Sequence, residues 1–184
     1  MSCQPFQAGA NKIDYSVNRG AYDRADPSKT RVLVSLKDQR AWLLDGDGEV
    51  LVRTDVSTGV PGHDTPVGHF RVLERQEDKR SNKYGRYVDV ETGKVVVPKN
   101  WLHKGPKPKG TKYQGIEMPY WMRLTWYGVG MHVGKFPKNT RCSFGCIRVY
   151  DKSQPLIYAK TQMGTPVEIV RESRKVEMGD SVSE

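Results

Sequence analysis

Apolar positions in this chain come in short runs of four to eight residues cut by turn residues, the pattern of strands rather than of helices. Residues 31–36 (RVLVSL), 40–44 (RAWLL) and 49–56 (EVLVRTDV) read as three strands. The short turn 37–39 and the hairpin signal DGDG at 45–48 join them into a meander. A fourth strand is expected at 69–74, after the turn TPVG at 65–68, and a hairpin at 87–90 and 94–97 around ETG at 91–93. Residues 120–127 and 129–132 have the apolar and aromatic content of central strands. One helix is expected from Asp151, which would cap it, to Gly164, followed by a last strand at 166–170.

The remaining segments carry no periodicity. Residues 1–30 read as a polar extension, 75–86 as a charged solvated stretch and 172–184 as a loose tail. Residues 98–119 hold four Pro, three Gly and five Lys, and a loop of that length marks a lid or an insertion. The expected fold is a mostly β domain over 31–171, a sandwich or mixed sheet, with one main α-helix.

With 184 residues, 36% hydrophobic and 28% charged, the composition is that of a single globular domain with extra chain at its ends. No run of about 18 apolar residues exists, so no transmembrane segment is expected. The net charge of +9 favours an anionic partner such as nucleic acid, an anionic membrane or a wall polymer, or serves only solubility. The Lys and Arg are scattered without a nucleic-acid motif, so no nucleic acid is expected. The start MSCQPFQAGA lacks the apolar core of a secretory signal, which leaves a cytoplasmic protein or one whose signal has been removed. Cys3 is then either a lipid-anchor candidate or an ordinary thiol.

Three cysteines are too few for a disulfide scaffold, and the spacing of Cys142 and Cys146 matches no zinc site. Cys142 reads as a free bystander thiol, with pairing to Cys3 or Cys146 as alternatives. Cys146 is the candidate nucleophile. Gly145 before it allows positive φ or close approach of a substrate, and the N–H groups of Gly145 and Cys146 could face a developing oxyanion. Arg148 and the helix start that follows are expected to lower the thiol pKa. His132, fourteen residues earlier at the end of an apolar strand and before Gly134, is the candidate base. No Asp or Glu lies between 118 and 150, so a backbone carbonyl would orient the imidazole.

The segments MHVG at 131–134 and SFGCIRV at 143–149 together resemble the signature of the L,D-transpeptidase (YkuD-like) catalytic domain. STG at 57–59, TPVGHF at 65–70 and MPYWM at 118–122 are similar to that family's other recurring stretches, so the resemblance runs from about 31 to 170. It implies a cysteine acyltransferase that forms a thioester with a peptidoglycan stem peptide, releases its terminal D-amino acid, and passes the acyl group to the amine of an acceptor stem peptide. Cys146 would be the nucleophile and His132 the base. Ser143, Gly145 and Gly134 would support the oxyanion and its loop, and Arg148, Tyr120, Trp121, Met131 and Phe144 would bind substrate. The resemblance also implies an envelope or periplasmic location, no metal or organic cofactor, and acylation of the cysteine by carbapenems. Phe144 departs from the family, which usually has His there; Phe can neither hydrogen-bond nor take a proton. Two other readings stand beside the transferase. One is an L,D-carboxypeptidase or wall-protein-releasing hydrolase with the same site, and the other is a non-catalytic basic module that binds cell wall.

Overall fold

The computed structural model describes residues 12–174 and residue 176. Its elements in chain order are β1 (Tyr15–Val17), α1 (Arg19–Arg24), β2 (Arg31–Ser35), β3 (Arg40–Leu44), β4 (Val50–Ser57), β5 (Gly68–Arg71), β6 (Glu74–Asp89) and β7 (Val95–Val97). A 3-10 turn (Asn100–Leu102), β8 (Thr111–Arg123), β9 (Gly130–Val133), β10 (Ile147–Val149), α2 (Gln154–Ala159) and β11 (Pro166–Val170) follow. The fold is mostly β with a mixed sheet, as the sequence pattern predicts.

The described residues form two compact units, 12–76 with those from 120 onward, and 77–119. In the first, the strand order is β5-β11-β2-β3-β4-β10-β9-β8, with β1 added to β4. The meander pairs antiparallel throughout, whereas β11 on β2 and β10 on β9 are parallel. Strands β2 to β4 are buried on both faces. One face joins the main core of Val32, Val34, Leu43, Val52, Val56, Met122, Met131, Ile147, Ile157 and Ile169. The other carries a smaller cluster of Leu33, Trp42, Leu44 and Val50. Truncating a side chain as buried as Ile147 or Met131 to Ala costs about 2–5 kcal/mol.

Several expectations change. The extension 1–30 contains β1 and α1, elements of three and six residues, too short for periodicity to register. Asn18 caps α1 by accepting the Ala21 N–H at 3.2 Å, and the Tyr22 hydroxyl donates to the Leu156 carbonyl at 2.9 Å. Beside the expected helix after Cys146, the described residues thus hold a second short helix, α1. Helix α2 begins at Gln154, and Asp151 lies exposed in the preceding turn without capping it. Pro155 in the first turn needs no hydrogen-bond acceptor there, which is why the helix starts late.

The second unit is built from β6, β7 and β8. The charged stretch 75–86 is strand, and so is 111–119. The stretch 75–86 is mostly exposed and polar, so its ladder hydrogen bonds and not an apolar face make it a strand, whereas 111–119 is mostly half-buried or buried. Only about half of the loop expected at 98–119 is irregular. The tail begins tied down, because the Arg174 N–H donates to Asp38 at 2.9 Å and the Ser173 hydroxyl also donates to that carboxylate.

Candidate active site

The site grows from the register of four strands. In β10, Arg148 lies beside His132 of the parallel strand β9 and Ser57 of the antiparallel strand β4. Across β9, Gly130 faces Arg123 of β8. Side chains alternate along a strand, so Met122, Met131, Ile147, Val149 and Val56 share the core face. Arg123, Trp121, His132, Arg148 and Ser57 share the opposite one, and Cys146, two residues before Arg148, continues it beside Gly130. The Cys146 Sγ donates to the Gly128 carbonyl at 3.6 Å, in the turn between β8 and β9.

The buried ring of His132 has its Nδ1 2.7 Å from the Val133 carbonyl. A carbonyl only accepts, so Nδ1 carries the proton and Nε2 is left with a free lone pair. The carbonyl thus holds the ring as the acid-poor sequence suggested. Trp121 backs it, ring centroids 6.0 Å apart. Burial pushes the His132 pKa down to about 4, with Arg148 adding to the fall against the Val133 bond.

The expectation of a lowered Cys146 pKa is overturned. Burial raises it, outweighing the Gly130 backbone bond, Arg148 and Arg123, which pull it down. Helix α2 starts too far along the chain, and is too short, to help. Both shifts favour the neutral forms at rest, the thiol of Cys146 and the imidazole of His132.

The turn carrying Cys146 is locked from outside. Gly145 has φ of 111°, which a side chain would strain. The Thr65 hydroxyl donates to the Gly145 carbonyl at 2.8 Å and accepts the Gly59 N–H at 2.9 Å. A trans peptide points its N–H opposite to its C=O, so Thr65 turns the Cys146 N–H away from itself. Gly145 N–H donates to the Ser143 hydroxyl at 3.2 Å, and that hydroxyl donates to the Cys146 carbonyl. The expected pair of oxyanion donors is thus reduced to the Cys146 N–H in this arrangement, while Ser143 braces the loop. The Thr58 carbonyl accepts the N–H groups of both Cys142 and Ser143 at 3.1 Å, and Gln39 bonds Thr58 twice.

Gly134 permits a close approach: a Cβ there would lie 2.8 Å from the Arg148 Cγ. Phe144 is partly exposed and meets His63 edge-on, with ring centroids 4.9 Å apart. Tyr120 packs on Tyr158 of α2, and its carbonyl accepts from Gln154 at 2.8 Å. Met131 and Trp121 are only 0% and 2% exposed, so neither side chain can meet a substrate as expected; they support the strands beneath it. Cys142 is disulfide-bonded, not a bystander thiol, and Cys146 is free. Cys3, the lipid-anchor or thiol candidate, lies outside the described residues.

Residues that no sequence signal singled out also act here. Thr65 lay in a recognised stretch but had no role assigned. Arg123 faces Cys146 from β8, ion-paired to Glu74 at 2.8 Å. Arg141 ties the loop to Gly59 and Asp64 at 2.6 Å each. These depend on contacts across 49 to 82 positions of chain, which a linear pattern does not carry. Among the described residues no cluster of His, Cys, Asp and Glu is arranged to hold a metal ion, and no helix is long and apolar enough to cross a membrane.

The fold is a mixed sheet with a free cysteine after a positive-φ glycine and a buried histidine on the strand paired with the one that follows. The model of the L,D-transpeptidase catalytic domain, YkuD, matches residues 29–169, and the chain belongs to that family. Solved structures share the fold. An L,D-transpeptidase from Mycobacterium smegmatis aligns with a TM-score of 0.58 at 17% identity, over 77% of this chain and 58% of that one. An L,D-transpeptidase from Stackebrandtia nassauensis gives 0.56 at 18%, over 80% and 58%. The catalytic domain of the E. faecium L,D-transpeptidase gives 0.54 at 24%, over 77% and 96%. The chain therefore spans less than two thirds of the first two structures but nearly all of an isolated catalytic domain. No curated protein matches it in sequence.

Proposed function

We propose that the chain is a cysteine acyltransferase acting on peptidoglycan stem peptides in the cell envelope. The observation that carries this reading is the His132 tautomer: Nδ1–H held by the Val133 carbonyl leaves Nε2 basic, on the face and strand adjacent to Cys146. As Sγ attacks the donor carbonyl, its proton passes to Nε2. The oxyanion forms against the Cys146 N–H. His132 then gives the proton to the departing D-amino acid, leaving a thioester on Cys146. An acceptor amine attacks the thioester, the new amide forms and the thiol is regenerated. Arg148 and Arg123 supply positive charge while sulfur carries its transient negative charge, and Arg148 orients the donor peptide.

Intact-protein mass after incubation with a carbapenem tests the nucleophile. An adduct on wild type and none on Cys146→Ala is expected; an unmodified wild-type protein supports the wall-binding module instead. Purified muropeptides with a saturating amine acceptor test the reaction. A product heavier by the acceptor marks transfer, and water in its place marks the carboxypeptidase.

A further inference from the structure

We propose that His63 is a second catalytic imidazole, the base that deprotonates the acceptor amine in the second half of the reaction. The inference rests on the acyl-transfer reading above.

His63 belongs to the segment 59–65, which is fastened to the nucleophile turn along its length. The Val60 N–H donates to the Ser143 carbonyl at 3.0 Å, Arg141 bridges Gly59 and Asp64, and Thr65 holds the Gly145 carbonyl. A Cβ on Gly145 would stand 3.8 Å from the His63 carbonyl. The ring is therefore carried by a backbone anchored beside Cys146. It lies edge-on to Phe144, the second residue before the nucleophile, and is exposed, so its nitrogens are open to an arriving molecule. Phe144 offers it no proton and no hydrogen bond, so it orients the ring without occupying it.

The chemistry needs such a group. A primary amine of pKa about 10 arrives as ammonium at neutral pH. Attack on a thioester requires the removal of two protons from it. His132 is buried, low in pKa and placed by the acyl-transfer reading at the sulfur, and so suits the second proton but not the first. In the proposed step the His63 imidazole takes one proton from the ammonium. The neutral amine attacks, the C–N bond forms, and the C–S bond breaks with its electron pair on Cys146 sulfur. The second amine proton passes through His132 Nε2 to that sulfur, and His63 releases its own proton to solvent. The charged groups beside His63 are Asp64, already paired with Arg141 at 2.6 Å, and Arg171, which acts on Asp64.

The experiment is single-turnover aminolysis of the preformed acyl-enzyme from pH 5 to 9, using two acceptors: a lysine-type amine and an alkoxyamine that is neutral at pH 7. His63→Ala and His63→Gln are expected to leave acylation within about 2-fold. They should slow aminolysis by the lysine-type amine on the order of 100-fold at pH 7. The alkoxyamine, which needs no first deprotonation, should react with the variants as fast as with wild type. Equal slowing of both acceptors, or of neither, overturns the role. A wild-type protein that forms no acyl-enzyme overturns the underlying reading, and the proposal with it.

Discussion

The Thr65 hydroxyl reaches 80 positions along the chain to donate to the Gly145 carbonyl at 2.8 Å, and so fixes the direction of the peptide between Gly145 and Cys146. Thr65→Val keeps the shape and removes the hydroxyl. It leaves the buried Gly59 N–H and Gly145 C=O unpaired, which costs about 1–3 kcal/mol per group. We expect a lower urea midpoint and an acylation rate reduced by at least about 10-fold, because the Cys146 N–H is no longer aimed. An unchanged rate of adduct formation would remove the role assigned to this peptide.

His132 makes stability and rate depend on acid. Its folded pKa of about 4 lies below the usual 6.5, so between these values the unfolded chain binds a proton that the native chain does not. Its contribution is complete above about pH 6.5 and is lost as the pH falls through 4, on the order of 3 kcal/mol in all. Unfolding curves at pH 7 and 4 should show this loss in wild type and much less of it in His132→Asn. Acylation should hold a plateau across neutral pH, because neutral thiol and neutral imidazole persist there, and should fall near pH 4.

Gly134 leaves room for the stem of Arg148. Gly134→Ala brings a Cβ to 2.8–2.9 Å from Arg148 Cγ and Cδ, so that side chain must shift. Donor acylation should weaken while the melting temperature changes little, since the core face of the sheet is untouched. Steady-state kinetics alongside thermal unfolding separate the two effects.

Asp55 is buried at 1% exposure and accepts the Asp14 N–H at 2.7 Å, with Arg40 at 3.2 Å and Lys138 at 3.7 Å. Asp55→Ala removes the anion and strands the groups around it, at a cost of about 3 kcal/mol. Denaturant titration reads it, and limited proteolysis within 134–142 should quicken because the Lys138 anchor is gone.

Apolar runs and turn residues lay out most of the β framework in the sequence, and local features point to Cys146 and His132 as the pair proposed to react. Strands β2, β3 and the start of β4 are legible because burial on both faces writes an apolar run, β11 because its buried Val167 and Ile169 alternate with less buried positions, and turns such as DGDG mark their own boundaries. Cys146 and His132 were legible because a glycine-flanked cysteine and a strand-end histidine are local features. The exposed strand over 75–86 was not, since ladder hydrogen bonds leave no apolar trace. The tertiary structure alone decided the electrostatics. Burial raised the Cys146 pKa where a nearby Arg and a helix pointed down, because desolvation depends on everything packed around the sulfur. It also decided which aromatics are support and which are open, with Met131 and Trp121 inside and Phe144 facing His63. Those relationships, like that of Thr65 to Gly145, join residues far apart in the chain, and only the packed sheet brings them together.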